Sequence, residues 1–346
     1  MNKKKELLVS IIILNYNGGK LLEECIESII EHTNCEYEII LIDNASTDNS
    51  HKECKKKFLE IQLVEKTENL GMSSRNDGIK IAKGQFITLL DSDTIVTDNW
   101  MQSLLESYTK HGPGLYQPKL LDKNNIKKIN SAGNWINILG IGFSNGKGDN
   151  DSEKYNKFET ISYTSGACTF SSTEIFRKIG DVDEIFFAYH DDLDYGWRAQ
   201  LQGIPCYYEP TSIVCHYGSP TLQWSKKKFY LLERNRWICL LSCYSTKTVL
   251  KLFPALFVIE IGMMIYFIIT GLGISKIKAT FSIIKLHSDI KNRKEKIQKT
   301  RKIKDRNIIK KFSDDFFIPT NIAEGIAAKM FTTVIKNISK IARKII

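Results

Sequence analysis

Short apolar runs, each ending in polar or acidic residues, constrain the fold of this chain more than any other feature. Residues 7–14 read LLVSIIIL, a continuous run rich in β-branched side chains that is typical of a strand buried on both faces. Similar runs cover 37–42 and 85–90, and residues 21–30 repeat apolar side chains at helical spacing. Strands alternating with helices predict an α/β domain on a largely parallel sheet. The first run is only eight residues long and lacks a cleavage site, so it predicts a strand rather than a signal peptide.

The carboxyl ends of these predicted strands carry the residues best suited to chemistry. Ligands of parallel α/β sheets collect at this edge. Asn15 follows the first strand, Asp43 ends the second, and Asp91 and Asp93 follow the run FITLL. In an extended chain, residues i and i+2 point the same way, so Asp91 and Asp93 can share one divalent cation and the phosphates it carries. A plain aspartate-rich turn is the alternative for this pair.

A second acidic group lies in the segment HDDLDYGWR. Asp191, Asp192 and Asp194 fall within four residues, and their mutual repulsion is expected to raise the pKa of one carboxyl. A raised pKa suits a general base near neutral pH. Acids are also favoured at a helix start, and Asp194 with Arg198 forms an ordinary i,i+4 pair. We therefore assign that pair a structural role and leave Asp191 or Asp192 for chemistry.

Three residues at predicted strand or helix ends are candidates for binding a cation, a nucleoside or a diphosphate. His216 follows the strand-like run SIVC, and an imidazole beside carboxylates suits a cation such as Mn²⁺, although a lone histidine is more often a satisfied core or surface group. Asp43 could accept a hydrogen bond from a base N–H or a ribose hydroxyl. Arg75 could meet a base or a diphosphate, with a surface salt bridge as the alternative.

Motifs and charge exclude several classes of protein. The motifs GxxxxGK[ST], GxGxxG, GxSxG and HExxH are absent, which disfavours P-loop NTPases, Rossmann dehydrogenases, common hydrolases and zincins. The eight cysteines form no CxxC pair, and no Cys/His cluster has zinc spacing. Of a net charge of +10, most comes from residues 285–311, where twelve basic side chains accompany three acidic ones. The main domain is therefore close to neutral, and a nucleic-acid partner is not expected.

The last third, residues 226–346, differs in composition. Leu252–Ile274 is a 23-residue apolar run with a single charge, Glu260, and its length would span a bilayer. A single crossing would place the basic stretch 285–311 opposite the N-terminal domain, against the positive-inside tendency if that domain is cytosolic. We favour a segment that dips in and returns, or helices lying in the interface with the basic stretch on anionic headgroups. A soluble helical core and a solvated basic tail are the alternatives.

Seven motifs within residues 7–220 occur in an order that resembles the family 2 inverting glycosyltransferases of the GT-A fold: VSIIILNYNGG, IILIDNASTDNS, ENLGMSSRNDGI, LLDSDT, TSGACTFSSTEIF, FFAYHDDLDYGWR and VCHYGS. The greatest likeness is to the rhamnosyltransferase and galactofuranosyltransferase branches, which build bacterial or archaeal surface glycans. The resemblance implies a Rossmann-like GT-A catalytic domain with a mostly parallel central sheet at 1–225. A helical, membrane-associating region at 226–346 would follow it.

The resemblance also implies a nucleotide-sugar donor, such as a UDP- or dTDP-sugar, and a divalent cation, Mn²⁺ or Mg²⁺. The residues that would bind the donor are Asn15, Asp43, Arg75 and Asp91. Asp93 would be the principal metal ligand, with Asp91 and His216 beside it.

For the acceptor, the resemblance implies a saccharide or polyprenyl-linked saccharide above the turn of Ser165 and Gly166. The family usually has Glu-Asp where this chain has Asp191-Asp192, and the second position is the family's base, so Asp192 is the expected general base. The enzyme would then work at the cytoplasmic face of the cell membrane, as a peripheral, monotopic or anchored protein. A sugar nucleotidyltransferase and a non-catalytic glycan-assembly scaffold are the alternative functions.

Overall fold

The computed structural model describes residues 9–218, 225–315 and 326–346. The start of the first predicted strand, residues 7 and 8, and Ser219 of the last motif lie outside the described residues. The strands are β1 (Val9–Asn15), β2 (Tyr37–Asp43), β3 (Gln62–Glu65), β4 (Phe86–Asp91), β5 (Thr94–Val96), β6 (Leu115–Asp122), β7 (Asn125–Ser131), β8 (Asn134–Ile136), β9 (Gly142–Ser144), β10 (Glu159–Ile161), β11 (Cys168–Ser172) and β12 (Cys206–His216). The α-helices are α1 (Gly19–His32), α2 (Ser50–Lys57), α3 (Arg75–Ile81), α4 (Trp100–His111), α5 (Thr173–Ile179), α6 (Asp191–Leu201), α7 (Lys226–Cys243), α8 (Thr246–Ile269), α9 (Gly273–Lys285), α10 (His287–Thr300), α11 (Asp305–Ile309) and α12 (Ile326–Ile345).

In the central sheet, β1 lies between β2 and β4, and all three strands are parallel. Every residue of β1 is buried, as expected for a β-branched run covered on both faces. The register pairs Asn15 with Asp43 and Leu14 with Asp91, so the polar ends of the three strands meet at one edge. The parallel arrangement predicted for this part of the chain is confirmed.

The sheet continues beyond β4 through an antiparallel strand. β11 lies between β4 and β6, antiparallel to both, and β12 then pairs in parallel with β6. β12 also pairs with the short strand β5, where His216 lies opposite Thr94. This pairing brings His216 beside the turn that follows Asp91.

Helices cover both faces of the sheet. On one face, α1 and α4 bury Leu22, Ile26 and Trp100 against Ile11 and Ile13 of β1. On the other face, apolar residues of α3, α5 and α6 pack on the alternate side chains of β1. The result is a layered α/β core whose open edge carries the strand ends.

The C-terminal helices share an apolar core with helix α6. Trp197 of α6 makes edge-to-face contacts with Tyr244 and Phe312, with ring centroids 4.7 and 4.9 Å away. Leu252 and Leu256 of α8 belong to the same buried cluster. Helices α7, α8, α10, α11 and α12 thus share this buried cluster with α6, and α9 packs on α7 and α8.

The predicted apolar run 252–274 is divided between two helices. Helix α8 ends at Ile269, Gly271 adopts a positive φ of 72°, and α9 begins at Gly273. Among the helices of the described residues, α8 is the one long and apolar enough to cross a membrane by length and composition. The run is thus interrupted by a turn before its predicted end, because glycine allows the left-handed conformation that stops α8.

The expectation that the whole basic stretch 285–311 lies on lipid headgroups is wrong for Arg293. This side chain is buried, where its Nε donates to Asp183 at 2.8 Å and its Nη2 lies 2.5 Å from Asp194. A carboxylate buried in the α/β core needs a cationic partner, and Arg293 of α10 supplies it. The predicted Asp194–Arg198 pair is confirmed at 2.8 Å, with Arg293 as a third member that sequence spacing does not indicate.

Replacing Asp194 with asparagine is expected to destabilise the fold by about 3–5 kcal/mol, because the buried guanidinium groups of Arg198 and Arg293 would both lose the negative charge of this carboxylate. Burial opposes ionisation of Asp194, but Arg293 and Arg198 lower its pKa overall. A lowered pKa stabilises the fold above the unfolded value of about 4, and this stabilisation is lost as the pH falls through the folded value. Urea unfolding of wild type and Asp194→Asn at pH 7 and at lower pH measures both effects. Lys80→Met, which removes an exposed pair with Asp77, is the control and should change stability by less than about 1 kcal/mol; equal shifts would contradict the assignment.

Candidate active site

The ends of β1 and β2 are joined by a buried polar pair. The Asn15 Nδ2 donates to Asp43 Oδ1 at 2.8 Å, and the Ser46 backbone N–H donates to Asp43 Oδ2 at 2.9 Å. His51 Nδ1 lies 3.3 Å from the same carboxylate. Asn15 Oδ1 is buried without a hydrogen-bond partner among the described residues, so it remains available to a ligand. The structure brings Asn15 and Asp43 together, and their contact with a donor stays a prediction.

Asn44 organises the turn that precedes Arg75. Its Nδ2 donates to the Gly71 carbonyl at 2.9 Å, and its Oδ1 accepts from the Leu70 N–H at 3.0 Å and the Ser74 hydroxyl at 2.7 Å. Sequence reasoning missed this residue because nothing in the polar run that follows Asp43 sets Asn44 apart from its neighbours. Its effect is to fix the start of α3, where Arg75 is placed.

Arg75 links two parts of the site from a buried position. Its Nη2 donates to Asp91 Oδ1 at 2.5 Å and to the Gly166 carbonyl at 2.8 Å, and the side chain is 3% exposed. Because the guanidinium is buried, the surface salt bridge considered from the sequence is wrong. Arg75 instead connects the end of β4 to the turn before β11.

Asp91, Asp93 and His216 form a group that fits a divalent cation. One potential ligand atom from each lies within 4.8 Å of the others, and His216 Nε2 is 3.4 Å from Asp93 Oδ1. Asn130 Oδ1 lies 3.3 Å from His216 Nδ1, so a proton on Nδ1 would leave Nε2 free to face the carboxylates. Two carboxylates and an imidazole are ligands that Mn²⁺ accepts.

The pKa shifts in this group follow from burial and crowding. Burial raises the pKa of Asp91 to about 6; Arg75 opposes the shift and the neighbouring Asp93 charge adds to it. Burial lowers the pKa of the His216 imidazole, but the hydrogen bond to Asp93 and its negative charge raise it overall. Crowded negative charge of this kind is reduced when a cation binds.

Asp192 lies at the same edge of the sheet, where Gly166 links it to Arg75. The Gly166 N–H donates to Asp192 Oδ2 at 3.1 Å, while the Gly166 carbonyl accepts from Arg75. The Leu193 N–H holds the other carboxylate oxygen at 2.7 Å, and burial raises the pKa of Asp192. Asp91, Arg75, Gly166 and Asp192 thus form one hydrogen-bonded path between the metal-binding group and the expected base.

The neighbouring Asp191 and Ser165 are placed differently from Asp192. Burial and the Asp192 charge raise the pKa of Asp191 to about 8, so this carboxyl is mostly protonated at neutral pH. The Ser165 N–H donates to Gln117 Oε1 at 2.8 Å, and its hydroxyl accepts from the Ala167 N–H at 3.3 Å. Gln117, buried on β6, fixes this turn and was not identified from the sequence, since a single polar residue in an apolar strand has many structural explanations.

A strained loop leads into helix α6. Phe187, Tyr189 and His190 have positive φ values of 63°, 66° and 61°, which are unfavourable for residues with side chains. Asn235 of α7 donates to the carbonyls of residues 186, 188 and 189 at 3.1, 2.9 and 2.7 Å. This amide brings the helical region into the support of Asp191 and Asp192. No local sequence signal could reveal it, because the partners are more than forty residues apart.

Comparison with known proteins gives a family match and a structural match. Residues 10–180 match the sequence profile described as glycosyl transferase family 2. In solved structures, the fold is similar to that of GalNAc-T7 crystallised with UDP, GalNAc and Mn²⁺, with a TM-score of 0.55 and 19% identity over 68% of this chain and 48% of that chain. At this identity the likeness concerns the fold, and it agrees with the GT-A fold expected from the sequence.

Two curated relatives match over shorter segments. A 103-residue segment is 41% identical to glycosyltransferase GlyG of Streptococcus pneumoniae serotype 4, covering 29% of this chain and 34% of that protein. A 95-residue segment is 41% identical to a poly(ribitol-phosphate) beta-glucosyltransferase of Bacillus spizizenii, covering 25% of this chain and 15% of that protein. The aligned segments therefore span about a third or less of these relatives.

The raised pKa of Asp191 predicts a dependence of stability on pH. The folded chain keeps a proton on this carboxyl that the unfolded chain releases, so the stabilisation is full below about pH 4 and is lost as the pH rises toward about 8. Asp191→Asn cannot ionise and should lose less stability than wild type between pH 5 and pH 8 in urea unfolding. The exposed Glu106→Gln variant should keep the wild-type slope. Identical slopes for wild type and Asp191→Asn would count against the buried, protonated state.

Proposed function

We propose that the chain transfers a sugar from a nucleotide-sugar donor to a saccharide of the cell surface, since residues 10–180 match the profile described as glycosyl transferase family 2. The observation that carries the proposal is the path from the Asp91, Asp93 and His216 group through Arg75 and Gly166 to Asp192. Such a path suits a reaction in which a leaving group and a base act on one sugar from two sides. The relative described as a poly(ribitol-phosphate) beta-glucosyltransferase supports glycosyl transfer to a polymer.

We assign catalysis to residues 1–225 and membrane association to the helical residues 226–346. The acceptor is a saccharide or a polyprenyl-linked saccharide, and the reaction takes place at the cytoplasmic face of the membrane. The apolar helix α8 supports the membrane association, since its length and composition suit contact with a bilayer.

On the donor side, this chain's residues bind and orient the nucleotide sugar. Asn15 and Asp43 form the nucleoside end of the site, with the unpaired Asn15 Oδ1 as an acceptor. Arg75 is placed to meet the diphosphate while it holds Asp91 in position. Asp93, with Asp91 and His216, would hold Mn²⁺ or Mg²⁺. A divalent cation, when bound, neutralises the negative charge that grows on a departing nucleoside diphosphate.

On the acceptor side, Asp192 acts as the general base. Its carboxylate removes the proton from the acceptor hydroxyl as that oxygen attacks the anomeric carbon, opposite the departing diphosphate, which inverts the anomeric centre. The raised pKa of Asp192 makes it a stronger base, and the Gly166 and Leu193 N–H groups fix its orientation. Protonated Asp191 limits the negative charge beside it, and the Ser165–Gly166 turn supports the acceptor.

Asp192→Asn is expected to lower sugar transfer by about a hundredfold or more, since general-base catalysis contributes on that order. Nucleotide affinity should stay within about twofold, because the substitution preserves shape. Release of nucleoside diphosphate from a panel of UDP- and dTDP-sugars with Mn²⁺ measures turnover, and calorimetry measures nucleotide binding.

The control is Asp98→Asn, a surface substitution on a residue that pairs with His32. Near wild-type transfer by Asp192→Asn would refute the base, and pyrophosphate as the product would indicate a nucleotidyltransferase instead.

Asp93→Ala is expected to make nucleotide affinity insensitive to Mn²⁺, because the metal-binding group loses a central carboxylate. Titration of UDP and dTDP with and without Mn²⁺ by calorimetry tests this. Asp122→Ala provides a matched control, since Asp122 lies opposite His216 in the sheet and is not a member of the group. An unchanged Mn²⁺ effect in Asp93→Ala would remove the metal from the proposal.

A further inference from the structure

The C-terminal helices expose a large apolar surface. Of the nineteen large apolar side chains that are exposed among the described residues, fifteen lie at or after Leu250. On α8, Phe253, Phe257, Ile261 and Ile265 recur every fourth residue, with exposed fractions of 60, 55, 48 and 53%. Monomeric soluble proteins rarely expose large continuous apolar patches, and such patches mark contacts with proteins or membranes.

Helix α9 extends this surface. Ile274, Ile277, Phe281 and Ile284 lie three or four residues apart, and each is at least 48% exposed. The spacing places them on one side of α9, and α9 packs against α8. The exposed apolar residues of these two helices are called the α8–α9 face below.

The opposite side of α8 is held by the rest of the protein. Glu260, midway along the helix, forms ion pairs with Arg236 of α7 and Lys276 of α9, and Glu233 completes the buried network. If α8 crossed a bilayer, these charges would have to enter the hydrocarbon or separate, and both are costly. Since Leu256 also shares a core cluster with Trp197 of α6, the inner side of α8 is bound to the α/β core.

The charges around the α8–α9 face are basic. Between residues 246 and 285 the single acid is Glu260, which is already paired. Lys247, Lys278 and Lys285 are exposed next to the apolar residues. Long lysine side chains can reach from an apolar layer to the lipid headgroups. The basic charge around the face therefore favours an anionic lipid surface over an uncharged apolar partner.

We propose that the α8–α9 face inserts into one leaflet of an anionic bilayer with α8 and α9 lying along the membrane surface, so that α8 does not cross it. The inference deepens the proposed function and rests on it only for the purpose of the contact, which is to reach a lipid-linked acceptor. Helix α7 connects the two sites, because Arg236 pairs with Glu260 and the adjacent Asn235 holds the loop before Asp191. When α8 is bound to the membrane, this connection holds Asp192 at a fixed distance from the bilayer surface.

Flotation of the full chain with vesicles of phosphatidylcholine and phosphatidylglycerol tests the face. The variant Phe253→Ser/Phe257→Ser/Ile261→Ser should lower the partition coefficient by at least about tenfold, since each substitution removes a large apolar side chain from the lipid. The matched control Ile30→Ser/Leu59→Ser/Ile126→Ser removes three similarly exposed apolar residues of the α/β domain and should stay within about twofold of wild type. Pure phosphatidylcholine vesicles should bind more weakly.

Three results would overturn the proposal. The wild type could fail to float, or both triple variants could float equally well. Alternatively, sedimentation without vesicles could show a dimer that the Phe253, Phe257 and Ile261 substitutions dissociate, in which case a second copy covers the face. Hydrolysis of soluble nucleotide sugars, measured on the same proteins, reports separately on the proposed function, so loss of lipid binding and loss of catalysis are distinguishable.

The in-plane orientation is tested with a membrane-impermeant maleimide added to preformed vesicles carrying Thr246→Cys or Ser288→Cys. Both residues are exposed, and they lie before and after the α8–α9 face. With the helices on the surface, both cysteines react without detergent at equal extent, above the wild-type background. Reaction of one only after detergent would show that the chain crosses the bilayer between them.

Discussion

The buried contact of Arg75 with Asp91 and the Gly166 carbonyl is the interaction on which the site depends. Its guanidinium joins the end of β4, the start of α3 and the turn before β11, which belong to different parts of the chain. A buried cation of this kind requires well-placed partners, because its desolvation is costly. Asn44 places the residue from one side, and Gly166 passes the connection on to Asp192. Without Arg75, less positive charge would offset the negative charges of Asp91 and Asp192.

The C-terminal helices support the candidate active site and also form the α8–α9 face. Arg293 of α10 neutralises Asp194 of α6, and Asn235 of α7 holds the strained backbone that precedes Asp191. Residues in sparsely populated backbone conformations persist only where the surroundings hold them, and such strain is often found at functional sites. The same α7 is bound through Arg236 to Glu260 of α8. The proposed lipid contact and the proposed base are therefore connected by a single helix.

The electrostatics of the site follow from its burial. Asp91, Asp191 and Asp192 all have raised pKa values, with desolvation as the main cause in each. Each of the two acidic motifs thus contains carboxyl groups with a raised pKa: Asp91 in the first, and Asp191 and Asp192 in the second. This arrangement suits a site that binds a cation at one end and accepts a proton at the other.

The sequence by itself determined the fold class and the candidate residues at the strand ends. Continuous β-branched runs such as 9–15 can be buried only within a sheet covered on both faces, and polar strand ends in a parallel sheet must meet at one edge. The Asp194–Arg198 pair was predictable because helical spacing is local. Tertiary structure alone decided that His216 reaches Asp93 across β5, that Arg293 is buried, and that Asn235 supports the loop at 186–189. These contacts join residues far apart in the chain, and no periodicity or spacing encodes which distant partner satisfies a buried charge or carbonyl.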